Sequence, residues 1–548
     1  EKKMASVVWK ILPLRNPCKF CAKCHRPSQD VVVRQARRMS KKAPSSKSDW
    51  QSVVGLEIHA QINTASKLFS GASTKFGAPI NSQVAPFDAA LPGTLPVLNK
   101  DCVEAGVLTA LALGCRINQV SKFDRKHYFY ADLPAGYQIT QQRQPLACDG
   151  QVNYVHVTSG AGQTSTAEMR TCRLIQLQLE QDSGKSLHDH LDKQSLIDLN
   201  RAGVGLMEVV TQPDLRDGED AASFVKEVQL LLRTIGTCDG KMQEGSLRVD
   251  ANISVHKAGE PWGVRTEVKN INSVRNVSKA IDFEIQRQIG VLENGGQIEN
   301  ETRSFDAESN ETVQMRDKEK LLDYRFMPEP NLPPLHIYSS GNVPPGTGAY
   351  SNVVLETVQQ RLPDLPGTIR EKLQHKFDVP LLSATLLVTE EGLLDIFESL
   401  MADGSRDLKT VLNVLLNDYI GVLHEHDCTA AECRIRIESL GEVCDLLASR
   451  EISQSTLQKL LPLLFEHPEV GAVEMVDREN WRQIRDRELI EKVVNEVISN
   501  PKVMKKLQKG GTRGLNAVMG PVQQALDRRA DPQIVTEIVE NIYKNLSK

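Results

Sequence analysis

The residues of this chain that could do chemistry lie on four stretches where polar and aliphatic side chains alternate. The first sets Glu57, His59 and Gln61 against Val54, Leu56, Ile58, Ala60 and Ile62. The second sets Gln176, Gln178 and Glu180 against Ile175, Leu177 and Leu179, the third sets Arg248, Asp250 and Asn252 against Leu247, Val249, Ala251 and Ile253, and the fourth carries Arg265, Glu267 and Lys269. A period of two predicts β-strands, so each polar set shares one face of its strand.

Two explanations fit this alternation. Antiparallel sheets commonly keep one face in water, and an ordinary solvated face shows the same pattern. The residue types favour a functional site, because a solvated face tends to carry Lys, Glu and Thr, whereas these strands favour His, Asp, Asn, Gln and Arg. Those side chains are ligands and donors of fixed geometry. We therefore expect the four strands to hold a metal-bound phosphate.

A basic and aromatic segment, residues 123–140, is the most distinctive part of the chain. It places Arg125, Lys126 and His127 beside tyrosines 128, 130 and 137. This mixture suits a nucleotide or an RNA terminus, although the tyrosines could also belong to the core. The run 181–186 superficially resembles a P-loop, but Leu179 stands where that motif needs a glycine.

Charge is spread unevenly over the 548 residues, which should form two to four domains. Residues 1–48 carry 13 Lys and Arg against two acids (+11), and residues 482–548 carry 13 against eight (+5). Since the net charge of the whole chain is -4, the body between these two ends carries a net charge of -20. An acidic body suits a metal site, and nucleic acid must then be held by local basic patches.

Residues 1–48 are predicted to be a targeting segment for mitochondrial import, either cleaved or disordered, because they are basic and poor in acids. The alternative is a basic arm that stays on the protein and contacts RNA. No apolar run approaches the ~20 residues that a membrane helix needs, so we expect no membrane association.

The organisation predicted for the rest of the chain is α+β. Strands dominate residues 49–345, an antiparallel-sheet-rich cradle domain with helices expected at 101–114 and 273–290. A proline-rich exit around 328–345 leads to helical periodicity, which we divide into a connector domain, 346–475, and a small all-α tail domain, 476–548.

The tail contains a basic, glycine-bearing loop. Its cations are Lys505, Lys506, Lys509 and Arg513. Such a loop between short helices can bind the phosphate backbone of a tRNA, and the alternative is an ordinary solvated helix pair.

Several ordered motifs together resemble a known family. They are VVGLEIHAQI (53–62), FDRKHYFYADLPAGYQIT (123–140), LEQDSGKS (179–186), IDLNRAGVGLMEVV (197–210), EGSLRVDANISV (244–255), EVKNINS (267–273) and DYRFMPEPNLPPL (323–335). The chain after residue 49 resembles the B subunits of the aspartyl/glutamyl-tRNA amidotransferases, and its tail resembles that family's helical C-terminal domain.

The resemblance implies an ATP- and magnesium-dependent reaction in the mitochondrial matrix. Glutamate mischarged onto glutamine tRNA would be phosphorylated on its side-chain carboxylate, and ammonia from a partner, the amidase (A) subunit, would displace the phosphate. A small C subunit is the expected third member of the complex. Phosphoryl transfer needs a metal and cations more than a covalent nucleophile, which agrees with the strand pattern.

The resemblance also assigns roles to residues. The implied metal site is formed or supported by Glu57, His59, Glu180, Gln181, Glu244 and Asp250. The implied catalytic residues are Glu57, His59, Lys126, Tyr128 and Lys269, and the ATP contacts are Lys126, Lys269 and Arg248. Magnesium prefers oxygen ligands and imidazole suits softer metals, so His59 could instead orient a water. The chain departs from the bacterial pattern at Gln181, Ala131 and Ala135, where Glu, Pro and Lys are usual.

Two other functions remain open at this point. One is a noncatalytic scaffold whose polar strand face rests on tRNA while another protein of the complex does the chemistry. The other is a stand-alone metal hydrolase, which would be active without partners.

Overall fold

The computed structural model of the protein describes residues 49–158, 166–189, 194–315, 324–345, 352–402, 404–507 and 511–546. The predicted targeting segment, residues 1–48, and Lys509 of the basic loop lie outside these ranges.

Three β-sheets occupy the first part of the described chain. The strands are β1 (Trp50–Gln61), β2 (Arg116–Ile117), β3 (Val120–His127), β4 (Tyr137–Gln144), β5 (Ala147–Cys148), β6 (Gln151–Thr158), β7 (Thr166–Gln181), β8 (Lys185–Asp189), β9 (Gln194–Asp198), β10 (Gly205–Thr211), β11 (Leu247–Lys257), β12 (Thr266–Ile271), β13 (Thr302–Asp306), β14 (Glu311–Gln314), β15 (Met327–Pro328), β16 (Leu335–Tyr338) and β17 (Val353–Val354). The largest sheet has the order β14-β13-β12-β11-β1-β10-β7-β5-β2, with β6 also paired to β7. The second has the order β15-β3-β16-β17, with β4 paired to β3, and β8 pairs with β9.

Strand β1 lies at the centre of the large sheet and follows the predicted alternation. Leu56, Ile58 and Ala60 are buried, whereas the side chains between them are part-exposed on the opposite face. Strand β11 alternates in the same way, with Leu247 and Val249 buried. The predicted faces of these two strands are therefore confirmed.

Strand β7 departs from the prediction at one residue. Ile175 is 40% exposed, and its neighbour Leu174 is buried. The pairing register shifts between Val210 and Thr211 of β10, opposite this part of β7. A bulge adds one residue to a strand, so side chains on its two sides no longer alternate in step. The prediction that Ile175 lies on the buried face was therefore wrong, whereas Leu177 and Leu179 are buried as predicted.

Helices dominate the rest of the described chain, which confirms the α+β class. They are α1 (Lys100–Ala112), α2 (Gly218–Thr234), α3 (Val274–Glu293), α4 (Leu355–Gln359), α5 (Pro366–Phe377), α6 (Leu381–Thr389), α7 (Leu393–Met401), α8 (Leu408–Asn413), a π-helical turn (Val414–Tyr419), α9 (Ile420–Glu425), α10 (Ile437–Ala448), α11 (Gln454–Glu466), α12 (Ala472–Arg478), α13 (Arg487–Ile498), α14 (Pro501–Leu507), α15 (Gly511–Ala525) and α16 (Pro532–Leu546).

The two helices predicted within the cradle are observed. Helix α3 begins after Ser273, whose hydroxyl accepts a hydrogen bond from the Asn276 N–H, and it ends before Gly295 at φ +73°. A serine N-cap and a left-handed glycine are the usual boundaries of a helix. Helix α1 occupies the other predicted position.

The later helices enclose two separate hydrophobic cores. One core runs from Leu373 to Val476 and the other from Ile490 to Val539. The exact domain boundaries proposed from the sequence stay predictions. Among the described residues, no helix combines the length and the apolar character needed to cross a bilayer.

Candidate functional site

The central strands of the large sheet bring polar side chains into two rows. In one row, His59 of β1 lies opposite Glu208 of β10, which lies opposite Gln178 of β7. In the next row, Leu206 of β10 separates Gln61 from Glu180. Directly opposed residues project from the same face of a sheet, so strand pairing alone places these side chains on one surface.

Three of these side chains form a compact group of potential metal ligands. Ligand atoms of His59, Glu180 and Glu208 all lie within 4.8 Å of one another. The His59 Nε2 atom is 3.9 Å from Glu208 Oε1, and both glutamates are buried. Across the ranges that the structure describes, no other three His, Cys, Asp or Glu residues bring their ligand atoms this close together.

The second sheet covers this group through β4. The Gln138 amide donates to Glu180 Oε1 at 2.5 Å and to the Gln181 carbonyl at 2.7 Å. The Tyr128 hydroxyl donates to Gln138 Oε1 at 3.1 Å. Glu180 is thus held by an amide that is itself held by a tyrosine, which fixes the carboxylate before any ligand arrives.

The charges of the group are strongly coupled. Burial raises the pKa of Glu180 to about 7, and the nearby Glu208 adds to this while Lys126 opposes it. Burial also raises the pKa of Glu208 against the lowering effect of Lys126. Burial works against the charge of Lys126, but the attraction of Glu180 and Glu208 outweighs it and raises the pKa of the ammonium. Buried acids and a persistent cation in one place are typical of functional sites.

A second carboxylate centre lies beside the first. The Arg248 guanidinium donates to Asp182 Oδ2 at 2.8 Å, and Arg201 Nε is 3.6 Å from the same oxygen. Burial opposes ionisation of Asp182, yet the two guanidinium groups prevail and hold its pKa below the usual range. Asp182 is therefore an anion that orients Arg248.

Most of these groups line one cavity of about 390 Å³. Its lining residues are His59, Lys126, Tyr128, Tyr130, Asp132, Gln138, Glu180, Asp182, Ser183, Leu206, Arg248, Asp250, Lys269 and Tyr324. A cavity of this size with converging cations and acids can hold phosphate groups and a divalent ion.

The donor set fits magnesium. The Glu180 Oε2 atom is buried and has no hydrogen-bond partner within the chain, so it is available to a bound cation. Two glutamate oxygens suit a hard cation that prefers oxygen. The His59 imidazole is better suited to orient a water of that cation than to bind it directly.

Most of the predicted site residues are brought together. His59, Lys126, Tyr128, Glu180, Arg248, Asp250 and Lys269 line the cavity. Lys269 is 3.6 Å from Glu267 on the same face of β12. Glu57 lies beyond His59 on the polar face of β1, where it accepts a hydrogen bond from the Asn252 amide at 3.0 Å. Glu57 thus borders the site. Burial raises the pKa of Glu208 against the lowering effect of Lys126, and the nearby charge of Glu57 adds to the rise.

Two residues predicted to form or support the metal site, Gln181 and Glu244, do not line this cavity, and the expected ligand set stays a prediction. Gln181 is buried but lines a different cavity, of about 320 Å³, because consecutive strand residues point to opposite faces. Glu244 lies in the turn before β11, where its carboxylate is 3.1 Å from Lys241 Nζ. Glu244 does not belong to the His59, Glu180 and Glu208 group.

Glu208 and Gln138 were missed by the sequence analysis. A signal for Glu208 was present, since it is the one charged residue of the largely apolar β10, and a buried carboxylate requires a partner or a metal. Gln138 carried no such signal, because its role depends on β4 packing across β7.

The predicted tRNA contacts in the tail are partly described. Lys505 and Lys506 are exposed in the last turn of α14, and Arg513 lies in the first turn of α15. Their role as tRNA contacts stays a prediction.

Comparisons with known proteins agree with this architecture. A family model described as "GatB/GatE catalytic domain" matches residues 52–341, more than half of the chain. A second, described as "GatB domain", matches residues 395–542.

Named relatives cover nearly the whole chain. It is 48% identical over 513 residues to the mitochondrial B subunit of glutamyl-tRNA(Gln) amidotransferase from Homo sapiens, and the match covers 93% of this chain and 92% of the human protein. The Drosophila melanogaster protein of the same name is 48% identical over 521 residues, 94% of this chain and 99% of its own. The B subunit of the aspartyl/glutamyl-tRNA(Asn/Gln) amidotransferase from Rickettsia canadensis is 41% identical over 492 residues, 90% and 97% of the two chains. The chain therefore belongs to the B subunit family of the glutamyl-tRNA(Gln) amidotransferases.

Proposed function

We propose that this protein is the catalytic B subunit of a mitochondrial amidotransferase that converts Glu-tRNA(Gln) to Gln-tRNA(Gln). The observation that carries the proposal is the group of His59, Glu180 and Glu208, of which His59 and Glu180 line one cavity together with Lys126. It occurs in a chain whose relatives carry the amidotransferase name over nine-tenths of its length.

The chemistry requires activation of a carboxylate. A carboxylate oxygen of the esterified glutamate attacks the γ-phosphorus of ATP, and ADP leaves. Ammonia then attacks the carbonyl carbon of the side-chain acyl phosphate, inorganic phosphate leaves, and the side chain becomes an amide. The first step concentrates negative charge on the transferring phosphoryl group, so cations must surround it.

The chain supplies these cations from separate elements. Lys126 of β3, Arg248 of β11 and Lys269 of β12 all line the cavity. Lys126 stays protonated because Glu180 and Glu208 outweigh its desolvation and raise its pKa. We assign Lys126 and Lys269 to the phosphoryl oxygens and the glutamyl carboxylate, and Arg248 to ATP.

Glu180 and Glu208 would hold magnesium, which supplies charge neutralisation at the phosphates when bound. Tyr128 and Gln138 keep Glu180 in place through the two hydrogen bonds described above. Since the pKa of Glu180 is raised to about 7, a bound cation also secures its ionised form.

The complex and its location complete the proposal. The relatives are named as B subunits, which implies an amidotransferase of several different chains, and several of those relatives are named mitochondrial. We propose the amidase (A) subunit as the source of ammonia, a small C subunit, and the mitochondrial matrix as the compartment, with residues 1–48 as the import segment. We further propose that exposed Lys505 and Lys506 help to hold the tRNA.

The test is ATP turnover by the complex reconstituted with its amidase partner. We expect ADP release to depend on Glu-tRNA(Gln) and to be lost in Glu180→Gln. Glu244→Gln, which changes a carboxylate outside the group, should retain activity. If Glu180→Gln leaves ATP turnover and amidation unchanged, the protein is a noncatalytic scaffold.

A further inference from the structure

The carboxylates that line the cavity differ in what they contact. Asp182 is neutralised by Arg248 and Arg201, and Glu180 belongs to the proposed metal group beside Lys126. The carboxylate of Asp132 instead accepts a hydrogen bond from the Ser186 hydroxyl at 3.2 Å. Within the described ranges, no cationic side chain forms an ion pair with Asp132. A part-buried anion with a neutral partner can bind a cationic group of a ligand.

Asp132 is held firmly by its backbone. Its carbonyl accepts a hydrogen bond from the Gly184 N–H at 2.8 Å. A Cβ on Gly184 would lie 3.0 Å from that carbonyl oxygen and 2.9 Å from the Asp198 carbonyl oxygen, so the two loops meet where only glycine fits well. The next residue, Leu133, is buried at 3% exposure. The carboxylate is therefore presented from a fixed position rather than from a free loop.

Aromatic rings stand beside this carboxylate. Tyr128 and Tyr130 pack edge to face with ring centroids 5.6 Å apart, and Tyr128 packs similarly against Tyr324 at 6.2 Å. All three tyrosines line the same cavity as Asp132. An anion in a cavity that is also lined by aromatic rings is a suitable receptor for an ammonium group.

The substrate of the proposed reaction has such a group. An esterified glutamate carries a carboxylate at one end, which must meet cations, and an α-amino group at the other end, which is cationic when protonated. Glu180 is on β7, whereas Asp132 is in the loop after β3, and the Tyr128 side chain lies near both. The cavity thus presents the metal and cation group and the Asp132 carboxylate from different elements, with Tyr128 near both.

We infer that Asp132 binds the α-ammonium group of the aminoacyl ester, with Tyr130 packed beside it, and so orients the glutamyl side chain toward Glu180 and Lys126. This inference rests on the proposed function and adds a specificity residue to it. It predicts that the complex discriminates against aminoacyl-tRNA whose α-amino group is blocked.

The test compares Glu-tRNA(Gln) with N-acetyl-Glu-tRNA(Gln) in the reconstituted complex. A hydrogen bond to a charged group is worth about 1.5–3 kcal/mol, so we expect kcat/KM of the wild-type complex to be at least about tenfold lower for the acetylated substrate. In Asp132→Asn, KM for Glu-tRNA(Gln) should rise about tenfold with kcat little changed, and the acetylated substrate should be unaffected. The ratio of kcat/KM for Glu-tRNA(Gln) to that for the acetylated substrate then falls toward one.

Two further variants separate recognition from a structural role. Ser186→Ala removes the hydroxyl that contacts Asp132 but keeps the carboxylate, and it should retain the discrimination. Tyr130→Leu removes a ring that is 47% exposed, and it should reduce the discrimination in part. Equilibrium binding of the two aminoacyl-tRNAs gives the same ratio without turnover.

The outcomes are distinct. Equal losses for both substrates in Asp132→Asn, or equal binding of both by the wild-type complex, would overturn the ammonium-binding role of Asp132. Failure of the wild-type complex to amidate Glu-tRNA(Gln) with ATP would instead overturn the proposed function.

Discussion

At the scale of single residues, the site depends on a balance between burial and charge. Burial disfavours the charged forms of Glu180, Glu208 and Lys126. The ammonium of Lys126 favours ionisation of both glutamates, and the two carboxylates in turn keep Lys126 protonated. Glu180 keeps one oxygen without a hydrogen-bond partner, which leaves its electron pair for a cation. An arrangement of this kind is expected at a functional centre.

Glu208→Gln tests the ligand that the sequence analysis missed. The amide preserves the shape of the side chain and its hydrogen bond to Gln178, 2.6 Å long in the native protein, but removes the charge. We expect magnesium affinity to fall at least about tenfold and amidation to fall with it, because an anionic ligand is lost. Calorimetry with magnesium measures the change, and unaltered affinity would remove Glu208 from the ligand set.

Metal binding should depend on pH through Glu180. Its pKa of about 7 in the folded protein means that below this pH a proton occupies the carboxylate that a cation needs. Magnesium affinity should therefore rise with pH by up to about tenfold per unit below pH 7 and level off above it. Titrations in wild type and Glu180→Gln measure the effect, and the variant should lose this part of the pH dependence. An equal dependence in both proteins would contradict the assignment.

At the scale of elements, the cradle is joined to the helices by a buried ion pair. Arg370 of α5 donates to Glu227 of α2 at 2.6 Å, and both side chains are almost fully buried. Arg370 also has buried N–H groups without hydrogen-bond partners. Such a pair is costly to break from one side, so it fixes how α5 packs on α2.

Arg370→Met should lower the free energy of unfolding by about 3–5 kcal/mol, because the Glu227 carboxylate loses its partner in a buried position. Adding Glu227→Leu should recover most of the loss, since no buried charge remains. Lys372→Met on the same helix is a matched control: its pair with Asp364 is exposed, and it should cost no more than about 1 kcal/mol. Urea unfolding compares the four proteins. Equal effects of the two single substitutions would show that the buried pair does not lock the interface.

At the scale of the whole molecule, chemistry and the predicted RNA contacts lie in different parts of the chain. The cavity is built from β1, β3, β4, β7, β10, β11 and β12, whereas the exposed Lys505 and Lys506 lie in a helical region with its own core. Net charge is negative between the two basic ends of the chain. Binding of tRNA should therefore depend on local basic patches and on salt.

Lys505→Gln with Lys506→Gln should weaken tRNA binding about equally for charged and uncharged tRNA. The slope of log K against log salt should fall by about two, because each phosphate contact contributes roughly 0.9. Lys226→Gln, on the exposed face of α2, is the control and should leave the slope unchanged. Filter binding at several salt concentrations measures the slope of log K against log salt. An unaltered slope in the double variant would exclude these lysines as phosphate contacts.

Local patterns in the sequence were enough to identify the strands with a polar face, because alternation depends only on neighbouring residues. Glu57 and His59, Glu180, and Arg248 and Asp250 were placed on the correct faces for this reason. The α+β class and the positions of α1 and α3 also followed from local periodicity and caps. Composition supplied the choice of chemistry, since acids and cations in one set suit a metal-bound phosphate.

Which of these side chains meet depends on the three-dimensional pairing of the strands. Glu208 faces His59 because β10 pairs with β1 in one register, and Gln138 reaches Glu180 because β4 packs across β7. The same pairing places Gln181 at a second cavity, and Glu244 lies in the turn before β11 beside Lys241. Register and sheet packing join residues far apart in sequence, and no local pattern records those distances.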